Sequence, residues 1–549
     1  MAENAQGTSE NGSRRGKNGR WDVLDAAFLL VLFLGVLFIS WHSFRGEFTC
    51  PQAAGNAMDG LFSRDLLFHG GWRHPSQLAG EYSEQGAMGQ LLKNFRFVHP
   101  FFLGLVFALL GPSFFSAHVA ALAALVAFVF CWYLWIARDF DKIIAFFSSL
   151  LVLTSLAVAR WSGEPMAEFP ALALLCASGL FYTGFLKRAN TRSLFAASVC
   201  FGLAFLTDKA AFMFLPVFII SPLFLGGYGR FSRKKVLWVA IVWLLMILPA
   251  TVLEISAGKA ADSLGATASA FSISNWTGWT ALLTEAPTAP AVALLGIAGI
   301  FYALARRDGR VAFLAIFALS YFSYGLMTPD YLRTALFWVP PLSVIAVYFI
   351  IEMGGSGNQL AFKKVIVVLL LFLQFLYLHR KGESYYVRGY EEAARYVASN
   401  PLGESVVMQG YQDGNFIFAM RGLAPEGFKV LPARGLLTSE KLLSETGVMT
   451  PVQSREEFFA IFKNYGAQYV VLESYDVKNA ETAQQKMLRE IVLGPRFDLK
   501  TAFPIRSNDP DFKDLKLYVY ALREPEPLEI KPAPPARKPK APPVRRRKR

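Results

Sequence analysis

Charge-free apolar runs of fifteen to twenty residues recur through the first 380 positions of the chain. A hydrocarbon layer about 30 Å thick is crossed by about 20 apolar helical residues, so such runs read as membrane spans. The composition agrees: 54% of the chain is hydrophobic, only 17% is charged, and 49 residues are Phe. That balance excludes a cytosolic enzyme, a secreted disulfide scaffold and a disordered chain.

The runs fall at roughly 23–41, 117–137, 143–159, 169–186, 193–207, 210–226, 236–253, 291–305, 311–327, 334–351 and 365–378. One more, 98–112, is bounded by His99-Pro100 and Gly111-Pro112 and is too short to span comfortably, so it reads as interfacial or re-entrant. Excluding it leaves eleven spans. With the N-terminus inside, the inner connectors and the N-terminal segment carry 18 Lys or Arg, from Arg14 to Lys364, while the short outer connectors carry only Arg160, Lys209, Lys259 and Arg333. That asymmetry is what the positive-inside rule demands, and counting 98–112 as a span would destroy it.

The expected organisation is an α-helical polytopic membrane protein with a soluble α/β domain at its C-terminal end. Residues 1–22 form a cytoplasmic tail before an uncleaved signal anchor. Residues 23–379 form the transmembrane domain, with a large outer loop at 42–116. Residues 380–524 form an extracytoplasmic α/β domain, predicted with helices at 390–398, 455–464 and 482–492 and strands at 405–409, 468–472 and 515–522. Residues 525–549 are Pro-rich, then polybasic, and are expected to be disordered. The last nineteen residues carry nine Lys or Arg and no acid, so most of the net charge of +14 belongs to this tail and not to a nucleic-acid-binding body. The tail reads equally as a ligand for anionic lipid and as a solvated extension. Cys131, Cys176 and Cys200 lie in apolar runs and Cys50 stands alone, which makes no disulfide framework.

The ionisable residues crowd on the outer side. Asp59, in GNAMDGLFSRDLLFHGGW, lies near the start of an expected amphipathic helix on the membrane surface, either as a dipole-favoured helix-start carboxylate or as a functional acid. Arg64 and Asp65 read as an exposed pair on the same helix. Glu164 reads as a loop acid, whereas Glu168, in EPMAEFP, enters the membrane with the following helix and points to function. Asp208 either neutralises Lys209 or leaves it to bind phosphate. Arg333, two residues after Tyr331 in TPDYLR, is either an interfacial anchor or a ligand contact. His42, His69, His74 and His99 lie in the large outer loop or at its edge, without zinc-like spacing. There is no Walker loop or dinucleotide fingerprint. Asn275-Trp276-Thr277 is a glycosylation sequon in an outer loop.

These strings in this order (FVHPFFLGLVFALLGPSFFSAH, MAEFPALALL, GLAFLTDKAAFMFLPVF and YLRTALFWVPPLSVIA) resemble the GT-C superfamily of polyprenyl-phosphate-sugar-dependent glycosyltransferases over roughly residues 20–380. The likeness is greatest to the branch of bacterial protein O-mannosyltransferases and lipid A aminoarabinose transferases. It implies a lipid-phosphate sugar donor delivered at the outer face of a membrane, most readily a bacterial inner membrane, to a protein, lipid or glycan acceptor. By that resemblance Asp59 matches the first-loop acid and Glu168 the second-loop acid, both catalytic. Lys209 matches a lysine that contacts the lipid phosphate, and Arg333 a basic position near the donor. Tyr331, His99 and Arg160 complete the set expected there. The sequence departs from the family in placing Gly55-Asn56 where an Asp-Glu pair is usual. These residues assign no cofactor, and the need for a divalent cation is left open. A carboxylate to take the acceptor's proton and cations to hold a departing phosphate are the groups such a transfer needs. A lipid-linked oligosaccharide ligase or polymerase shares these features. A transporter would show internal repeats and midplane polar groups, which are not seen here.

Overall fold

The computed structural model describes residues 22–41, 43–84, 96–225, 228–256, 286–327, 331–353, 359–381, 385–424, 427–433, 454–474, 483–509, 512 and 514–523. The N-terminal tail, the Asn275 sequon, Lys259 and the polybasic tail lie outside these residues.

Apolar helices dominate the first 381 positions. In chain order they are α1 (Val23–Ser40), α2 (Pro51–Phe68), α3 (Pro75–Glu84), α4 (Val98–Leu110), α5 (Phe114–Asp139), α6 (Lys142–Leu153), α7 (Leu156–Trp161) and α8 (Glu168–Arg188). They continue as α9 (Thr191–Thr207), a 3-10 turn (Lys209–Phe214) leading into α10 (Leu215–Leu225), α11 (Arg233–Ser256), α12 (Pro290–Arg306), α13 (Gly309–Met327), α14 (Tyr331–Glu352) and α15 (Gln359–Lys381). Five of these (α1, α5, α8, α14 and α15) are long and apolar enough to cross a membrane. Every apolar run read as a span coincides with one of these helices or with a consecutive pair.

Helix α4 has 13 residues, a rise of about 20 Å, well short of a hydrocarbon layer. Its Phe101, Leu105, Leu109 and Leu110 are exposed, whereas His99, Leu103, Gly104 and Phe107 are buried against α2. The two helices meet through glycine. A Cβ on Gly60 would stand 2.6 Å from Leu103 Cβ, and one on Gly104 would stand 3.0 Å from Gly60 O.

Helix α2 departs from expectation. It begins at Pro51 and not near Asp59, so Asp59 is its ninth residue and lies beyond the reach of the helix-start dipole. It is also not a surface helix: residues 56–63 are buried without interruption, with Ala53 and Ala54 before them. Pro51 supplies the earlier start, and Ala53, Ala54, Ala57 and Gly60 are small enough to admit neighbours on several sides. Arg64 and Asp65 are each only 14% exposed.

The basic connectors Arg138, Lys142, Lys187 and Arg310 gather at one end of the bundle. Lys142 Nζ reaches Asp22 and Asp25 at 2.8 and 2.7 Å, Lys187 Nζ reaches Asp139 at 2.7 Å, and Arg310 donates to the Asp139 carbonyl at 3.3 Å. Inside the bundle, Gln374 of α15 accepts from Thr288 Oγ1 and Ala289 N and donates to Thr154 O.

Beyond α15 the chain changes to α/β. The elements are β1 (Val387–Arg388), α16 (Tyr390–Ser399), β2 (Ser405–Gln409), α17 (Asp413–Leu423), β3 (Lys429–Pro432), α18 (Arg455–Asn464), β4 (Ala467–Glu473), α19 (Ala483–Val492), β5 (Phe497–Pro504), β6 (Arg506–Ser507) and β7 (Lys516–Leu522). Five strands form one sheet in the order β3-β2-β4-β7-β5. Strand β2 runs parallel to β3 and β4, and β7 runs antiparallel to β4 and β5. One sheet face (Val406, Met408, Tyr469, Val471, Leu517, Val519) joins the same continuous core as the apolar helices, and the other (Val407, Val470, Leu472) closes against Phe458, Phe462 and Leu488 of α18 and α19.

Candidate active site

The connector between α7 and α8, WSGEPMAEFP, lies at the end of the bundle that carries the α/β segment, and it is buried from Trp161 to Phe169. Its carbonyls are held from two directions. Pro165 O accepts from Asn56 Nδ2 of α2 and from His99 Nε2 of α4, both at 3.0 Å. Gly163 O faces His118 Nδ1 at 2.6 Å, while His118 Nε2 faces Gly46 O at 3.1 Å. Glu164 accepts from Thr49 N at 2.9 Å and Thr49 Oγ1 at 2.7 Å. Burial raises its carboxyl above the ordinary range, against the pull of nearby His118.

Glu168 opens α8, where the helix N-terminus favours a carboxylate. It is 3% exposed and is ion-paired to Arg333 of α14, whose guanidinium also takes Gln52 Oε1 of α2. Thus α2, α8 and α14, far apart in sequence, meet at one guanidinium. Oε2 of Glu168 is buried without a hydrogen-bond partner among the described residues.

Asp208 and Lys209 border the same cluster. Asp208 caps the 3-10 turn through Ala210 N at 3.0 Å and lies 3.8 Å from the guanidinium of Arg96. Asp208 therefore engages Arg96, a residue that sequence reasoning missed because it precedes α4 with no distinguishing pattern. Asp208, Arg96 and Arg333 all act electrostatically on His99. Because Pro165 O can only accept, His99 Nε2 carries the proton, and the buried Nδ1 is left as a lone pair without a partner among the described residues. Burial holds the imidazole down to about 4, hence neutral.

Asp59 is buried, 2% exposed, and shares one helical face with Gln52 and Asn56 at spacings of seven and three. It stands about 10 Å along α2 from the Gln52 that touches Arg333. Arg160 is exposed, with its guanidinium over the rings of Trp161 and Tyr385 at 5.7 and 5.8 Å. The side chain of Tyr331 lies outside the described residues. The structure therefore brings Glu168, Arg333 and His99 together with Asp208 and Arg96. It places Lys209 next in chain to Asp208, and it puts Arg160 at the junction with the α/β segment. Among the described residues no three His, Cys, Asp or Glu side chains converge as a metal set.

A separate cavity of about 740 Å³ is lined by Phe44, Glu47 and Phe115 before α15 and by Arg388, Tyr396 and Phe503 of the α/β segment, and by none of the residues of the cluster above. That volume is in the usual range for small-molecule sites.

Residues 96–253 match the family model of dolichyl-phosphate-mannose-protein mannosyltransferases. No curated protein matches the chain in sequence. In structure it is similar to ArnT from Cupriavidus metallidurans bound to undecaprenyl phosphate, with TM-score 0.55, 15% identity, and coverage of 90% of this chain and 97% of that one. It is also similar to the Archaeoglobus fulgidus oligosaccharyltransferase in complex with zinc and sulfate, with TM-score 0.53, 13% identity, and coverage of 81% and 68%. A third similar structure is the arabinofuranosyltransferase AftD from Mycobacteria, with TM-score 0.53 and 15% identity over 90% of this chain but only 39% of that one.

Proposed function

We propose that this chain, an integral membrane protein with the GT-C glycosyltransferase fold, moves a sugar from a polyprenyl-phosphate donor to an acceptor on the outer face of its membrane. The observation that carries the reading is the guanidinium of Arg333, which joins the carboxylate at the start of α8 to the polar face of α2. In this reading the eleven apolar runs are its spans, the basic connectors face the cytoplasm, and the α/β segment is a domain on the far side.

The chemistry is a displacement at the anomeric carbon. The acceptor hydroxyl loses its proton to a carboxylate, its oxygen bonds to the sugar, and the sugar–phosphate bond breaks toward the phosphate. Arg333, Lys209 and Arg96 neutralise the departing phosphate in a site with little water, where fixed charges act strongly. The Glu168 carboxylate is already engaged by the guanidinium, so Glu168 orients Arg333. Asp59, on the α2 face below Gln52 and Asn56, is the proton acceptor. Neutral His99 fixes the Pro165 connector through Nε2 and offers Nδ1 to a ligand hydroxyl. The likeness to ArnT, whose structure holds undecaprenyl phosphate, supports a polyprenyl phosphate as carrier. The likeness to an oligosaccharyltransferase keeps an oligosaccharide ligase as the second reading.

The test is sugar transfer in membranes, with labelled polyprenyl-phosphate sugars as donors and native envelope extract as acceptor. Wild type should transfer, Asp59→Asn should not, and Glu168→Gln should retain turnover but bind donor more weakly. Full activity in Asp59→Asn would remove the assigned base. Transfer of a lipid-linked oligosaccharide with no monosaccharide transfer would establish the ligase instead.

A further inference from the structure

Helix α2 has little to define its position by itself. Its N-cap, Cys50, makes no side-chain capping bond. Its sequence includes Gly55, Asn56 and Gly60, and each glycine costs a helix interior about 1 kcal/mol relative to alanine. A helix of this kind takes its place from what packs on it.

Helix α17 of the α/β segment packs on it at both ends. Just before α17, Gln412 Nε2 donates to Thr49 O, and within its first turn Asn415 Nδ2 donates to Phe48 O, each at 2.8 Å. Gly414 lies so near α2 that a Cβ there would stand 2.7 Å from Ala54 Cβ, closer than real side chains come. In the middle, Phe418 packs among Phe48, Phe107 and Phe114, with ring centroids 5.3, 5.8 and 5.2 Å away. At the far end Arg421 lies 4.5 Å over the Tyr82 ring and 3.8 Å from Asp65, which also accepts from Tyr82 Oη at 2.6 Å. Gly414 meets residue 54 and Arg421 meets residue 65, so the two helices run in the same direction.

The part of the sheet used for this is informative. From β2 the chain passes first to β3 on one side and then to β4 on the other, which makes the β2/β4 boundary a switch point. The crevice beyond the carboxyl ends of parallel strands at such a point is where open α/β sheets hold ligands. Here the residues that leave β2 at that end, Gln412 to Asn415, hold the backbone of residues 48 and 49 of the same chain.

We infer that α17 is a splint for α2, and that Gln412, Gly414 and Arg421 are positioning residues for the transfer reaction. They fix the α2 face that bears Gln52, Asn56 and Asp59 relative to Arg333 and Glu168. The role in transfer rests on the glycosyltransferase reading above, whereas the splint itself does not.

The test is Gly414→Leu in the full-length protein in nanodiscs, read by hydrogen exchange and by transfer kinetics. The variant should speed exchange in residues 51–68 by about tenfold or more and leave residues 405–409 and 467–473 unchanged. A displacement near 1 Å should lower kcat about a hundredfold, with little change in binding of undecaprenyl phosphate. A defect that was merely structural would loosen the strands along with α2. Unchanged exchange in 51–68 overturns the splint, and loosened α2 with wild-type kcat overturns the positioning role. If Gly414→Leu does not accumulate, Arg421→Gln opens the clasp at the other end and is judged by the same measurements. If wild type transfers no sugar, the functional reading falls and the exchange data alone decide the splint.

Discussion

Glu47 should give the junction between the bundle and the α/β segment a measurable pH dependence. Its carboxylate is 6% exposed and accepts from the backbone N–H groups of Gly389, Tyr390 and Glu391 at 3.0, 3.2 and 2.8 Å, which caps α16 from across the junction. Burial outweighs those three bonds and pushes the group up to about 7 from 4.5. Between these values the folded protein holds a proton that the unfolded chain has released, so stability falls as pH rises. The loss begins near pH 4.5 and is complete just above 7. Each pH unit of difference corresponds to about 1.4 kcal/mol, which makes the total about 3 kcal/mol. Glu47→Gln cannot ionise and keeps one oxygen acceptor. The assay is thermal unfolding of both proteins in detergent from pH 4.5 to 8 at fixed ionic strength. Subtracting the variant cancels every other titrating group, and wild type should lose about 3 kcal/mol relative to Glu47→Gln across the range. Parallel curves would refute the reasoning.

His99 should act in the opposite sense. Held down to about 4 from 6.5, it is neutral when the unfolded chain is protonated, so His99→Gln should abolish a loss of stability that sets in as pH falls below 6.5. Melting curves between pH 4 and 7 check this. Gln374→Leu strands Ala289 N, Thr288 Oγ1 and Thr154 O inside the bundle and should destabilise by about 3 kcal/mol or more, read as a lowered melting midpoint. Arg333→Met leaves the Glu168 carboxylate buried and uncompensated and should cost about 3–5 kcal/mol. Adding Glu168→Gln should recover part of that loss, and a double-mutant cycle with additive effects would contradict the pairing.

Much of the fold was legible in the sequence because its signals are local. Apolar length marked the eleven runs that coincide with bundle helices or consecutive pairs, though not α2 or α3, and bounding prolines and glycines marked α4 as too short to span. In the α/β segment the helix at 455–464 and the strand at 405–409 coincide with α18 and β2, the first through its charge-rich amphipathic spacing and the second through its short Val-rich run. Helix α17 was missed: DGNFIFAMRGL has glycine near each end and an apolar centre that suits a strand equally well. Strand β5 was missed because Asp498, Lys500 and Thr501 interrupt the apolar residues of FDLKTAFP, as suits the edge of a sheet. In the site, Glu168 and Arg333 could be singled out because charge at a span boundary is costly and needs a reason. Their pairing could not, because it depends on how α8 and α14 pack. Arg96 and the Gln52–Asn56–Asp59 face were also hidden, since their meaning comes from the early start of α2 at Pro51.

The position of β7 adds a constraint in time. It is the last described strand in chain order, yet it lies between β4 and β5, so the sheet stays open until residues 516–522 arrive. Helix α2 leaves the ribosome roughly 450 residues earlier, which at about 5–20 residues per second is on the order of half a minute or more. Over that interval α3 to α15 and then the α/β elements are made, and the sheet that bears α17 lacks β7 until the end of it. The sheet beside α17 is therefore completed only after every described helix of the bundle has been made.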